Sequence, residues 1–479
     1  MIWLFIALGA ILVSLLAVIL IRTILFVPKE NQKPEDSEID FDREAAVYAL
    51  QQLVRCRTVS RYSHGEEDEA EFEKLLALLP VLYPHVTEHC TLTRLPDRAL
   101  LFKYEGRAHD APSVMMAHYD VVPVVEENWE KPPFEGIIED GVLWGRGTLD
   151  TKVTFNGVLS AAEALIAQGF VPEQDIYFAF SGGEEVNGPG AVHIVNYFRE
   201  NQIPVSLVVD EGGAVVRDVF PGVSNPCALI GIAEKGMLDL EYRVVSSGGH
   251  ASAPPPHTPV GELALACAAI EAHPPKAHLT APVAEMFDTL GRHSSFVFRM
   301  IFANLWCFGG LLDKLCRKKG GELNALMRTT VAFTRMKGSD ASNVLPPEAT
   351  MVSNIRLNPC DTMESMQQYL SGVIGNDRVE LRPIQGMNPS RISRTDCPEW
   401  RRVASAVAGT WQGALVSPYL MVQCSDSRHY GVLSDKVYRF SAMDLTAEER
   451  RTIHGNNERI RTEVIGRAVE FYIRLLRQC

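Results

Sequence analysis

The sequence predicts an α/β protein: a parallel-sheet domain with an inserted α+β unit, preceded by one membrane-spanning helix. Three observations predict it. Short apolar runs at 113–117, 175–180 and 206–209 alternate with segments of helical period, as in a parallel sheet. From about Met237 to residue 385 that alternation gives way to a separate set of strands and helices. Residues 2–21 carry no charge and are dominated by Leu, Ile, Val and Ala.

At 479 residues the chain can bury a large core, and 46% hydrophobic with 22% charged residues excludes wholesale disorder. A net charge of −13, with no long basic block, argues against nucleic acid as a partner. The ten cysteines form no Cys-x-x-Cys pair and read as buried thiols, not as a disulfide framework or a cysteine zinc site.

Element by element, residues 1–27 read as a single-pass anchor, since about twenty apolar residues span about 30 Å. No basic residue precedes the run and no Ala-x-Ala follows it, which favours an anchor over a cleaved signal peptide. Arg22, Lys29 and Lys33 come after the span and favour a cytoplasmic body, although the side stays open. Residues 28–42 are polar and acidic, a linker. The first part of the main domain, 43–236, contains helices at 43–57, 66–79, 151–168 (closed by Gly169) and 191–200. The insertion, 237–385, contains strands at 238–245, 329–335 and 350–357 and helices at 260–272 and 362–374. The main domain resumes over 386–479 and ends in a helix at 458–477. The apolar stretch 296–315 reads as a buried helical pair, its alternative being a surface facing a membrane or a greasy substrate.

The chemistry lies at the strand ends. The run 113–117 ends in His118-Tyr119-Asp120, 175–180 leads to Gly183-Glu184-Glu185, and 206–209 ends in Asp210-Glu211-Gly212-Gly213. Asp150 joins from the loop Gly145-Arg146-Gly147-Thr148-Leu149-Asp150. The carboxyl ends of parallel strands share one crevice, where so many carboxylates would repel one another unless a divalent cation were held. Imidazole with carboxylates is a zinc-type donor set. No His-Glu-x-x-His helix, Gly-x-Ser-x-Gly elbow, dinucleotide fingerprint or phosphate loop is present.

With these motifs the chain resembles the M20 family of dinuclear zinc metallopeptidases, in particular its carboxypeptidase S and N-acyl amino acid hydrolase branch. The resemblance runs from about residue 43 to 477. It is carried by Met116-Ala117-His118-Tyr119-Asp120-Val121-Val122-Pro123, Gly145 to Lys152, Glu184-Glu185 and Val209-Asp210-Glu211-Gly212-Gly213. Gly249-His250-x-Ser252-Ala253-Pro254, Asn343-Val344-x-Pro346, Ser425-Asp426-Ser427-Arg428 and Ile453-His454-Gly455 complete it.

The resemblance implies a zinc-peptidase catalytic domain whose insertion is a lid that also dimerises. It implies two zinc ions per subunit bridged by Asp150, one completed by His118 and Asp210, the other by Glu185 and His454. Asp120 would orient His118, Glu184 would be the general base, His250 would stabilise the oxyanion, and Asn343 and Arg356 would hold the substrate carboxylate. Thr151, Gly183 and Ser425 depart from the usual pattern without removing a ligand. The implied reaction is hydrolysis of an amide next to a C-terminal residue, in short peptides or N-acyl amino acids. A broader dipeptidase or aminoacylase is the alternative, and an inactive anchored binding domain a further one. His257 and His429 lie near motif segments, whereas His64, His85, His89, His109, His193, His273, His278 and His293 have no such context.

Overall fold

A computed structural model describes residues 1–29, 38–62 and 65–479; most of the expected linker and His64 lie outside them. The main sheet has eight strands, in the order Thr91–Leu95, Ala99–Tyr104, Gln174–Ser181, Ala108–His118, Leu207–Val216, Val437–Leu445, Cys227–Glu234, Leu415–Met421. Its centre is parallel: Ala108–His118 pairs in parallel with both Gln174–Ser181 and Leu207–Val216, and the latter with Val437–Leu445. The strands are longer than their apolar cores, because ladder hydrogen bonds continue past the last apolar residue.

Helices cover both faces, so successive residues of a central strand enter different cores. Met115 and Ala117 pack with the helices Arg43–Val54, Lys152–Ala167 and Thr462–Leu476, while Val114 and Met116 pack with Gly190–Glu200. The helix Lys152–Ala167 ends as expected, with Gly169 at φ +75° donating its N–H to the Ile166 carbonyl at 2.9 Å.

The second unit is a four-stranded antiparallel sheet, ordered Thr330–Lys337, Glu348–Leu357, Gly236–Val245, Glu380–Met387. Burial alternates along Gly236–Val245, whose inward residues Leu238, Leu240, Tyr242 and Val244 form a separate core with the helices Pro259–Ala272 and Met363–Ile374. The expected insertion 237–385 is nevertheless not one body. Its helices Ala281–Gly291, Phe296–Ala303, Leu305–Lys319 and Gly321–Met327 place Val283, Phe287, Phe302, Leu312 and Leu326 in the core of the main domain.

The expectation of a buried pair at 296–315 is corrected. The helices Phe296–Ala303 and Leu305–Lys319 meet at 112°, and one face stays exposed. The N-terminal apolar run forms one helix, Ile2–Leu25, long and apolar enough to cross a membrane. All ten cysteines are free.

Candidate active site

The central strands deliver the site residues at or near the crevice. His118 is the last residue of its strand, Glu184 and Glu185 open a single 3-10 turn after Gln174–Ser181, and Glu211 lies within Leu207–Val216. Asp150 arrives on the loop before Lys152–Ala167, where glycine is required: a Cβ on Gly145 would lie 2.3 Å from Val54 Cγ1. His454 follows the short helix Ala447–Thr452 and takes φ +57°.

The result is an aspartate between two imidazoles. His118 Nε2 lies 3.1 Å from Asp150 Oδ1, and His454 Nε2 lies 3.0 Å from Asp150 Oδ2. Beyond His118 stands Glu211 Oε1 at 3.4 Å, and beyond His454 stands Glu185 Oε2 at 3.0 Å. The donor atoms of His118, Asp150 and Glu185, and likewise those of His118, Glu184 and Glu211, lie within 4.8 Å of one another.

Asp210 faces elsewhere. Its two oxygens accept the N–H groups of Glu211 at 2.8 Å and Ser427 at 3.0 Å. The reason is strand period: 206–209 was expected to end before Asp210, but the strand continues to Val216, so neighbouring side chains point to opposite sides. Sequence reasoning had only the adjacent pair Asp210-Glu211, with no signal for which of the two faces the crevice.

Two further residues set the site. Asp120 is fully buried; its carboxylate accepts Ser60 Oγ at 2.7 Å and the N–H groups of Glu184 and Glu185, each at 3.2 Å, and its carbonyl lies 3.1 Å from His118 Nδ1. Glu458 was not singled out in the sequence. Its Oε1 accepts the N–H groups of Leu149 at 2.7 Å and Asp150 at 3.2 Å, and its Oε2 accepts Arg146 Nη1 at 2.6 Å. A carboxylate that far along the chain gives no sequence signal of its partner loop.

The charges do not balance within the protein. Burial and neighbouring carboxylates push Glu184 well up and raise Glu185 and Glu211 to about 7. Against burial, the two imidazoles hold Asp150 well down, while Asp150 and Glu185 raise His454 to about 10. Glu185 Oε1 is buried with no hydrogen-bond partner among the described residues. A divalent cation would satisfy that oxygen and relieve the carboxylates, so the donor set fits a metal.

The carboxylates open into a cavity of about 620 Å³ that Glu184, Glu185, Glu211 and His454 line. The rest of its lining mixes apolar residues, among them Val216, Leu229, Met421, Met443 and Leu445, with the polar Glu322, Gln423, Ser441 and Arg450. His250 and Asn343 do not line the cavity: His250 lies on an exposed two-stranded pairing of the second unit, its Nδ1 2.7 Å from Ser252 Oγ, and Asn343 is exposed in the turn just before the partner strand. Arg356 approaches the cavity through Cys424, whose Sγ lies 3.6 Å from Nη1. His257 shares a surface pocket with His250, and His429 is half-buried beside Arg428, off the cavity wall.

The fold and the donor set define a metallopeptidase. The sequence profile of Peptidase family M20/M25/M40 matches residues 114–478, and the chain belongs to that family. Among its relatives are the probable carboxypeptidase S-like 2 of Dictyostelium discoideum, 33% identical over 97% of this chain and 92% of the relative. The N-fatty-acyl-amino acid synthase/hydrolase PM20D1 of Xenopus tropicalis is 35% identical over 97% and 93%. The M20 family metallo-carboxypeptidase Sso-CP2 of Sulfolobus solfataricus shares the fold, with a TM-score of 0.66 at 16% identity over 90% of this chain and 98% of its own.

Proposed function

We propose that this enzyme uses two zinc ions to hydrolyse the amide bond of N-acyl amino acids, releasing a carboxylic acid and a free amino acid. The observation that carries the reading is Asp150 between two imidazole–carboxylate pairs, on the wall of a cavity partly lined by apolar side chains. His118, Asp150 and Glu211 would hold one ion, and Asp150, Glu185 and His454 the other; Glu211 takes the place expected for Asp210. When bound, such ions polarise an amide carbonyl and make water acidic enough to lose a proton near neutral pH. Asp120 keeps the His118 ring in place and anchors the Glu184-Glu185 turn through its two N–H contacts. Glu184, on the cavity wall beside the proposed ligands, takes the proton of the attacking water and passes it to the leaving nitrogen.

The apolar share of the lining, Val216, Leu229, Met421, Met443 and Leu445, supports an acyl chain as the group on the carbonyl side. Arg356 and Asn343 would bind the carboxylate of the amino acid, and His250 the developing oxyanion, once the second unit, the expected lid, closes or a partner subunit supplies them. The homodimer implied by the resemblance would form through that unit, which leaves Thr330–Lys337 as an edge strand; a monomer by light scattering would remove this part. The helix Ile2–Leu25 would anchor the chain in a membrane.

The test is release of free amino acid by the zinc-loaded full chain from a long-chain N-acyl amino acid, compared with short dipeptides. Preference for the acyl substrate is expected. Preference for dipeptides would favour the broader dipeptidase, and no hydrolysis of either with two metals bound would overturn the assignment.

A further inference from the structure

The helices Phe296–Ala303 and Leu305–Lys319 stand against the foot of the apolar helix Ile2–Leu25. Arg22 donates from Nε and Nη2 to the Ala303 carbonyl at 3.2 and 3.1 Å, and Asn304 Nδ2 donates to the Ile19 carbonyl and the Thr23 hydroxyl, each at 3.2 Å. Arg292 donates to the Val27 carbonyl at 3.0 Å and stacks on Phe26. Ile19 and Thr23 are the buried residues of that helix. Ile19 lies six residues before Leu25, about 9 Å along the axis. A bilayer enclosing the apolar helix therefore also meets the bend at Asn304.

At this bend the surface mixes exposed apolar and basic side chains. Val297 is 61% exposed, Trp306 57%, Leu311 50% and Leu315 51%, while Leu312 and Cys316 on the second helix are buried. Lys314, Arg317 and Lys318 share the exposed face of the second helix with Trp306, Leu311 and Leu315, and Lys319 is exposed at its end. With 8 and 15 residues and a 112° bend, the helices are about 12 and 22 Å long, too short to cross about 30 Å of hydrocarbon. Exposed apolar side chains interleaved with lysines and an arginine, beside the foot of an apolar helix, have the chemistry of a surface that meets anionic lipid, the long basic side chains reaching to the headgroups while their stems lie along apolar surface.

We propose that the exposed face of these two helices seats the body of the enzyme on an anionic bilayer, as a second membrane contact beside the N-terminal anchor. This rests on the anchor reading. Leu305–Lys319 runs through Gly320 into Gly321–Met327, whose Glu322 accepts the Tyr419 hydroxyl at 2.7 Å, and both residues line the cavity. The cavity thus stands one short helix from the lipid, where N-acyl amino acids with long chains partition.

Cys307, exposed beside Trp306, reports on this face, and the other exposed thiol, Cys360 in the second unit, is removed as Cys360→Ser. The full chain, labelled at Cys307 with an environment-sensitive fluorophore, is reconstituted in phosphatidylcholine vesicles containing phosphatidylserine. The expected result is a blue-shifted emission quenched by nitroxide-bearing lipid. Combining Arg317→Glu, Lys318→Glu and Lys319→Glu should reverse the shift while the chain stays with the vesicles. A chain that stays with the vesicles but keeps a water-like label overturns the docking and leaves the anchor standing. A shift that lipid-borne quencher does not touch assigns the face to a second copy or another protein and also overturns it. Loss of the chain from the vesicles under alkaline extraction overturns anchor and docking together.

Discussion

Glu184 and Glu185 are neighbours in sequence with different tasks, because only Glu185 reaches an imidazole, at 3.0 Å from His454. Glu184 lines the cavity with its proton affinity raised by burial. Glu184→Gln keeps the volume and removes the base, so kcat should fall by about 10²- to 10⁴-fold with bound metal unchanged, read by steady-state kinetics and metal analysis. Retained turnover would exclude Glu184 as the base. Asp210 and Glu211 make the complementary pair. Glu211→Gln should lose most of one metal equivalent, whereas Asp210→Asn should keep both and lose about 1–3 kcal/mol of stability, since an amide nitrogen then confronts a backbone N–H. The opposite pattern of metal loss would restore Asp210 as the ligand.

At the scale of elements, the Gly145–Asp150 loop is held from across the chain. Glu458 ties two of its N–H groups and Arg146 together in a buried setting. Glu458→Gln leaves the guanidinium without its charge partner and should cost about 3–5 kcal/mol in denaturant unfolding, with turnover falling as Asp150 shifts. The turn Asp426–Val432 adds a pH dependence. Burial, reinforced by Arg428, pushes the His429 imidazole down from 6.5 to about 4. Between those values the unfolded chain binds a proton that the fold refuses, so stability present above pH 6.5 is lost as pH falls toward 4. His429→Gln should flatten that limb of the stability curve; an unchanged limb would mean that other groups dominate acid unfolding.

For the molecule as a whole, the site sits where the return segment 386–479 completes the main sheet: Val437–Leu445 pairs beside the Glu211 strand, and His454 follows it. Metal bound there ties the first and last thirds of the chain together. Binding only to the folded state at about a hundredfold over Kd adds about 2.7 kcal/mol, so chelation should lower Tm and zinc should restore it in calorimetry. An identical Tm with and without zinc would argue against a metal at this position.

The alternation of strands and helices, the apolar N-terminal helix and the convergence of His118, Asp150, Glu184 and Glu185 were all legible in the sequence. Hydropathy period and the carboxyl-end rule for parallel strands are local patterns with a global consequence. Tertiary structure alone decided the rest. The choice between Asp210 and Glu211 depended on where ladder hydrogen bonds stop, which apolar patterning does not mark. Glu458 depended on a loop that precedes it by several hundred residues. The stretch 296–315 is apolar enough to be core, yet it bends at Asn304 and leaves one face open, because the N-terminal helix meets it on one side only. Composition records how apolar a segment is; its packing partners decide which of its faces is buried.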